Sequence, residues 1–204
     1  MTPFQYLAVA LAAYLIGSFS SGIVLAAIKG RDIRKEGSKS SGATNVTRVM
    51  GLGYGLLTFL GDFIKASLAV WVGVLICGYP GAMVAGIYAV AGHNWPVYYQ
   101  FRGGKGIVCS VAVLIWISPV EALVASALAV LVIALTRFVS LGSLTMVGVS
   151  TLLILIFKPF VPLGAWALIL LLLAVYQHRT NIMRLLRGEE NKLDLKKKPP
   201  VKPS

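Results

Sequence analysis

Apolar residues run along this chain in long blocks, and polar residues are confined to the gaps between them. Phe4–Ile28, Leu52–Cys77 and Phe138–Phe157 are each long enough to cross the hydrocarbon of a bilayer as a helix, which takes about 17–25 apolar residues. Ala82–Gly92, Ile107–Ser118, Val120–Leu135 and Leu163–Gln177 are shorter and read as short spans or half-helices. The pattern predicts an all-α polytopic membrane protein of about seven transmembrane segments. Residues 1–190 form a single integral membrane domain, and 191–204 a basic tail expected to be disordered.

The polar gaps carry a strong charge bias, which fixes an orientation. Lys and Arg in short loops favour the cytoplasmic side. With the N-terminus outside and seven crossings, Lys29 to Arg48, then Arg102, Lys105 and Arg137, then every Lys and Arg after Tyr176 share one face. Only Lys158 falls outside and Lys65 within a span. The C-terminus is therefore expected in the cytoplasm. The formal charge of +12 is read as this topology, with membrane lipid as a partner and no nucleic acid.

Composition agrees: 57% hydrophobic and 13% charged residues, with mean hydropathy +0.82, exclude an ordinary soluble domain. Met1–Leu7 has no positive n-region and the first apolar block is of full span length, so it is expected to stay as a helix rather than be cleaved. Cys77 and Cys109 fall at opposite ends of their spans and read as small core residues, not a disulfide.

The gaps also hold the candidate chemistry. Gly92–Gly106, GHNWPVYYQFRGGKG, contains His93, Asn94, and the pair Gly103–Gly104 between Arg102 and Lys105. Such a pair frees backbone N–H groups to face an anion, Lys105 adds charge, and a helix starting at Gly106 adds its dipole. A tight basic turn is the bland alternative. It is not a Walker A loop, since Tyr99 and Gly106 stand where that pattern needs Gly and Ser or Thr. The first inner loop, Lys29–Met50, interleaves hydroxyls and amides, including Thr44 and Asn45, with Arg34, Lys39 and Arg48, which suits several phosphate oxygens. Asp62 and Lys65 lie three apart inside a span, as an ion pair or the wall of a polar pocket. Ser140 and Ser143 open the sixth span. His178, Asn181 and Arg184 recur at three-residue steps, so a continuing helix aligns them on one side.

These blocks, in this order, resemble the bacterial membrane glycerol-3-phosphate acyltransferases that use acyl phosphate, the PlsY family. The resemblance rests on Gly17–Gly22, Arg31–Gly51, Gly61–Lys65, Gly92–Gly106, Thr136–Ser143 and His178–Leu193. Ser40 stands where the family usually has Asn, and Ala66 where it has Gly. The family's essential Ser and Arg correspond to Ser38 and Arg48. Its glycerol 3-phosphate loop corresponds to Gly103, Gly104 and Lys105, and its terminal His and Asn to His178 and Asn181. Its Glu corresponds to Glu190, expected to be structural. The resemblance implies acyl transfer from acyl phosphate to the sn-1 hydroxyl of glycerol 3-phosphate, giving lysophosphatidic acid and phosphate, the first acylation of phospholipid synthesis. It implies no cofactor, and a place in the bacterial inner (cytoplasmic) membrane.

An acyl phosphate is already activated, so no covalent nucleophile is required, and positioning with oxyanion stabilisation can carry the rate. No His-x4-Asp, no Gly-x-Ser-x-Gly elbow and no metal-ligand spacing occurs. The base is either His178 or a substrate phosphate. Substrate assistance is favoured, with His178 expected mainly as a hydrogen-bond donor. The rival class is a transporter of an organic phosphate, which would use the basic pocket and broken helices. Against it, the outer face offers almost no polar residues for a second gate. Oligomeric state is not readable.

Overall fold

The structure, a computed structural model, describes residues 1–193. Helix α1 (Pro3–Ser18) starts with a reciprocal cap: the Thr2 hydroxyl accepts from the Gln5 N–H, and the Gln5 side chain accepts from the Thr2 N–H. The first apolar block keeps the span length expected of it, over Pro3–Ile28, but it is not one continuous helix. It breaks at Phe19 and Ser20, both in extended backbone, and resumes as α2 (Ser21–Ile28). Serine hydroxyls weaken helical preference by competing for main-chain bonds, and the freed Phe19 carbonyl accepts a bond from Lys65 Nζ.

The first loop folds over a 3-10 turn at Ile33–Lys35 into α3 (Ala43–Met50). Val46 and Val49 of α3 pack on Ala26 and Ile33, which anchors the loop to the bundle.

Helix α4 (Leu52–Asn94) is a hairpin: Cys77 and Gly78 leave helical geometry and Pro80 follows. Gly78 sits at φ 60°, which only glycine adopts without strain. The returning half lies so close that a Cβ on Gly73 would stand 2.4 Å from the Gly81 carbonyl oxygen. The same close approach lets α1 meet α4, where a Cβ on Gly17 would stand 2.3 Å from Ala89 O. Leu56, Leu60, Ile64, Leu68, Trp71 and Leu75 are exposed at helical spacing, a lipid-facing stripe on a membrane helix.

Helices α5 (Ile107–Ile117), α6 (Pro119–Thr136), α7 (Val139–Phe157) and α8 (Val161–Gln177) complete the bundle. The largest core cluster, which includes Val90, Leu114, Ala122, Trp166 and Leu170, joins all five helices from α4 to α8. Cys77 and Cys109 are buried free thiols in separate clusters. At the far end, Ser118, Glu121 and Lys158 tie the start of α6 to the end of α7, each pair within 3.0 Å.

Helix α9 (Arg179–Leu186) does not continue α8. The chain bends by 64° at His178, so the straight alignment of His178, Asn181 and Arg184 is corrected. The segment turns polar at that point, and an amphipathic helix gains by lying along an interface rather than across it.

Among the described residues, four helical stretches are long and apolar enough to cross a membrane, Pro3–Ile28, Leu52–Tyr99, Pro119–Thr136 and Val139–Phe157, with α8 and α9 a fifth if the bent pair counts as one. Of the tail expected at 191–204, Leu193 exchanges two hydrogen bonds with Arg137, at 2.7 and 3.1 Å. Lys196, Lys197 and Lys198 lie outside the described residues.

Candidate active site

A cavity of about 370 Å³ opens where the polar loops meet the helices. One end is lined by Ser38, Arg48, Lys105, His178, Asn181 and Glu190, and the rest runs between α4, α5, α6 and α7 past Phe59, Val111, Val130 and Met146. With Ser140, which also lines it, the chain gathers residues from four separate polar gaps at the mouth of one apolar channel.

At the polar end, Lys105 Nζ donates to Asn181 Oδ1. Asn181 Nδ2 in turn donates to Glu190 Oε1 at 2.8 Å, so its amide is held from both sides. Glu190 also accepts from Ser140 Oγ at 3.1 Å and from Arg184 Nε at 3.0 Å, which makes it the hub that joins α7 to α9. Arg48 donates to the Asn191 carbonyl at 3.3 Å. Burial lowers the Lys105 ammonium to about 8, with Arg184 and Arg48 pushing down and Glu190 pulling up. Burial also lowers Arg48. Crowded, partly desolvated cations of this kind gain from an arriving anion.

His178 is 2% exposed and its Nδ1 lies 2.9 Å from the Ala174 carbonyl oxygen. A carbonyl only accepts, so Nδ1 carries the proton and a neutral ring offers Nε2 as an acceptor. The donor role expected for His178 is therefore corrected: it would need a second proton to donate into the cavity.

The first loop reaches the cavity through Ser38, Thr44 and Arg48. Asn45 lines it too, but its amide is engaged by the loop itself, accepting from Ser38 N–H at 2.7 Å and donating to the Ile33, Glu36 and Ser40 carbonyls. Asn45 shapes the loop that presents Ser38. Arg34 stands outside the cavity walls, paired with Asp32 at 3.0 Å. Ser143 lines the cavity with its hydroxyl on the Val139 carbonyl at 2.8 Å.

At Gly104 the glycine loop departs from the expectation. The Gly104 N–H donates to the His93 carbonyl at 3.1 Å and is not free for a phosphate. A Cβ on Gly103 would stand 2.0 Å from His93 O, and one on Gly104 2.0 Å from His93 Nε2. The glycines are there because the loop packs directly on His93, and that packing delivers Lys105. Asn94 is buried behind Gly106, outside the cavity walls.

Beneath this loop lies a buried charge cluster. Lys65 Nζ is 3.1 Å from Asp62 Oδ1 and 3.0 Å from His93 Nδ1, and Asp62 Oδ2 is 3.8 Å from the same nitrogen. The Asp62 contact has ion-pair distance without aligned hydrogen bonds. Asp62 and His93 both line the cavity, so the pocket wall and the ion pair are one feature. The link to His93 was hidden in the sequence, 28 residues from Lys65, because it exists only once α4 folds back. The far-end clamp carried a readable signal in Ser118 three residues before Glu121, a helix-start pattern.

The family model for glycerol-3-phosphate acyltransferase matches residues 7–188. A glycerol-3-phosphate acyltransferase of Thermoanaerobacter pseudethanolicus is 47% identical over 188 residues, covering 92% of this chain and 95% of its own. One from Clostridioides difficile is 40% identical over 208 residues, covering 97% and 100%. The crystal structure of PlsY (YgiH), an integral membrane glycerol 3-phosphate acyltransferase in its glycerol 3-phosphate form, superposes with TM-score 0.88 at 36% identity, over 93% of this chain and 96% of that one. Its lysophosphatidic acid form gives 0.85 at 35% identity, over the same shares. These likenesses give the transporter alternative no support. With a family match over most of its length and relatives this close, the chain belongs to the glycerol-3-phosphate acyltransferase family.

Proposed function

We propose that this protein transfers a fatty acyl group from an acyl phosphate to the sn-1 hydroxyl of glycerol 3-phosphate, releasing lysophosphatidic acid and inorganic phosphate. One observation carries the reading: a single cavity joins a cationic polar end, with Arg48 and Lys105, to an apolar channel between helices. A substrate pair with two phosphates and one long chain fits that division of polarity.

In this reading Lys105 and Arg48 hold phosphate oxygens, with Ser38 and Thr44 at the rim and Asn181 fixing the direction of Lys105. The acyl chain lies along Phe59, Val111 and Met146. The hydroxyl oxygen attacks the acyl carbon, the bond to the phosphate oxygen breaks, and the leaving phosphate departs with the negative charge. The hydroxyl proton passes to a substrate phosphate oxygen, and His178 Nε2 accepts its hydrogen bond on the way. No side chain becomes acylated.

The protein sits in the bacterial inner membrane with seven crossings, the N-terminus outside, and the cavity mouth in the cytoplasm. The basic loops around the mouth support this orientation. The test is purified protein in detergent with palmitoyl phosphate and glycerol 3-phosphate. Phosphate should be released one for one with lysophosphatidic acid. Turnover with acyl coenzyme A but none with palmitoyl phosphate would refute the donor assignment.

A further inference from the structure

Lys65 is an ammonium inside an apolar helix, 6% exposed, with three acceptors around it: the Phe19 carbonyl, Asp62 and His93 Nδ1. An ammonium carries no lone pair, so at 3.0 Å it meets His93 Nδ1 only as a donor. Nδ1 is then the unprotonated nitrogen and the ring proton is on Nε2. That is the opposite tautomer from His178, whose Nδ1 donates to a carbonyl.

His93 Nε2 points at the glycine loop, in the space that a Gly104 Cβ would occupy, and His93 is one of the residues that line the cavity. Among the described residues no protein hydrogen bond is formed by Nε2. The His93 carbonyl meanwhile holds the Gly104 N–H at 3.1 Å. One residue therefore grips the loop from two sides, and Lys65 sets which way its ring faces.

We propose that Lys65, with Asp62 as its counter-ion, is a positioning residue for acyl transfer. It locks His93 as the Nε2–H tautomer, which braces the Gly103–Gly104 turn, delivers Lys105, and offers a donor to the bound glycerol phosphate. The inference rests on the acyltransferase reading for its kinetic consequence, but the tautomer itself does not depend on that reading. Ion pairs inside membrane helices are ordinarily structural. Here the third contact, to the ring of a cavity-lining residue, gives the pair a task in the reaction.

The chain has two histidines, so ¹⁵N-histidine labelling gives a spectrum that can be assigned, with His178→Asn used to identify His93. The expected result is a neutral His93 ring protonated at Nε2 in the purified protein. In Lys65→Met a second tautomer should appear. The KM for glycerol 3-phosphate should rise roughly 10- to 100-fold, the scale of a misplaced reacting group, while the KM for palmitoyl phosphate stays near wild type. His93→Gln, whose amide reaches the Nε2 position, should retain more activity than His93→Ala. An Nδ1–H ring in wild type overturns the proposal without any variant, even if the protein is a proven acyltransferase. So does a Lys65→Met spectrum with one unchanged tautomer, or a rise in both KM values together. A correct tautomer in a protein that acylates nothing would overturn the function and leave the lock standing.

Discussion

Replacing Gly104 by alanine tests the glycine loop most directly. The added Cβ would lie 2.0 Å from His93 Nε2 and about 3 Å from the two neighbouring ring carbons, whereas ordinary contacts start near 3.4 Å. The ring has no easy retreat, because Lys65 holds Nδ1 and the backbone of the same residue holds Gly104. The loop must give way and take Lys105 with it. Overpacking of this kind costs about 1–3 kcal/mol. At about 1.4 kcal/mol per factor of ten, that is a roughly 5- to 150-fold weaker hold on glycerol 3-phosphate. Initial rates of phosphate release, with each substrate varied at saturation of the other, should show the KM for glycerol 3-phosphate rising while that for palmitoyl phosphate stays within about twofold. The decisive arm is the double variant His93→Ala/Gly104→Ala. If the clash is the cause, the Gly104→Ala penalty should largely vanish once the ring is gone. An equal penalty in both backgrounds would refute the steric account and restore a direct role for the loop backbone at the ligand.

Four further outcomes follow from the site. Burial lowers Lys105 to about 8, so its charge is complete below that pH and lost above it. kcat/KM for glycerol 3-phosphate should therefore fall as pH rises through about 8, and Lys105→Arg should remove that limb; an unchanged limb would assign it elsewhere. His178→Gln, which can accept a hydrogen bond but cannot take a proton, should keep appreciable activity, while His178→Ala should lose about 100-fold or more; Gln as inactive as Ala would make His178 the base. Glu190→Gln turns a pure acceptor of three donors into a mismatched amide. It should cost about 1.5–3 kcal/mol and lower Tm in detergent, and an unaltered Tm would deny the hub its role. A cysteine at Ser40 should label only from the cytoplasmic side and one at Pro80 only from outside; the reverse would invert the membrane orientation.

Much of the helical layout was legible because apolar length is the membrane's own criterion. The turn at Gly78 and Pro80 separates two apolar runs that each read as a segment. The break at Phe19–Ser20 left only a faint trace, in the serines around it, since Ile, Val and Leu continue on both sides and the stabilising partner, Lys65, is 46 residues away. At the site, Lys105, His178, Asn181 and Glu190 stood out through their resemblance to a family motif. Their connectivity did not, because Lys105 meets Asn181 across 76 residues. Gly103 and Gly104 were singled out as an anion-facing turn; the close packing of their backbone on His93, a residue ten or so positions earlier, carries no signal in the sequence.

The α4 hairpin has a consequence for how the protein enters the bilayer. A lone Asp or Lys at the middle of an inserting helix costs about 2.5–3.5 kcal/mol. Asp62, Lys65 and His93 all belong to the one hairpin, and the Gly73–Gly81 contact draws its two halves together. The hairpin can therefore bring its charges into the membrane already neutralised by one another, needing no help from the rest of the chain. The first span is the needy partner, for it arrives earlier with a helix broken at Phe19 and a carbonyl facing hydrocarbon. Assembly of the two is then a docking of a preformed cation onto a waiting oxygen. The order of synthesis, N-terminal span first, leaves that oxygen exposed only until the next hairpin emerges.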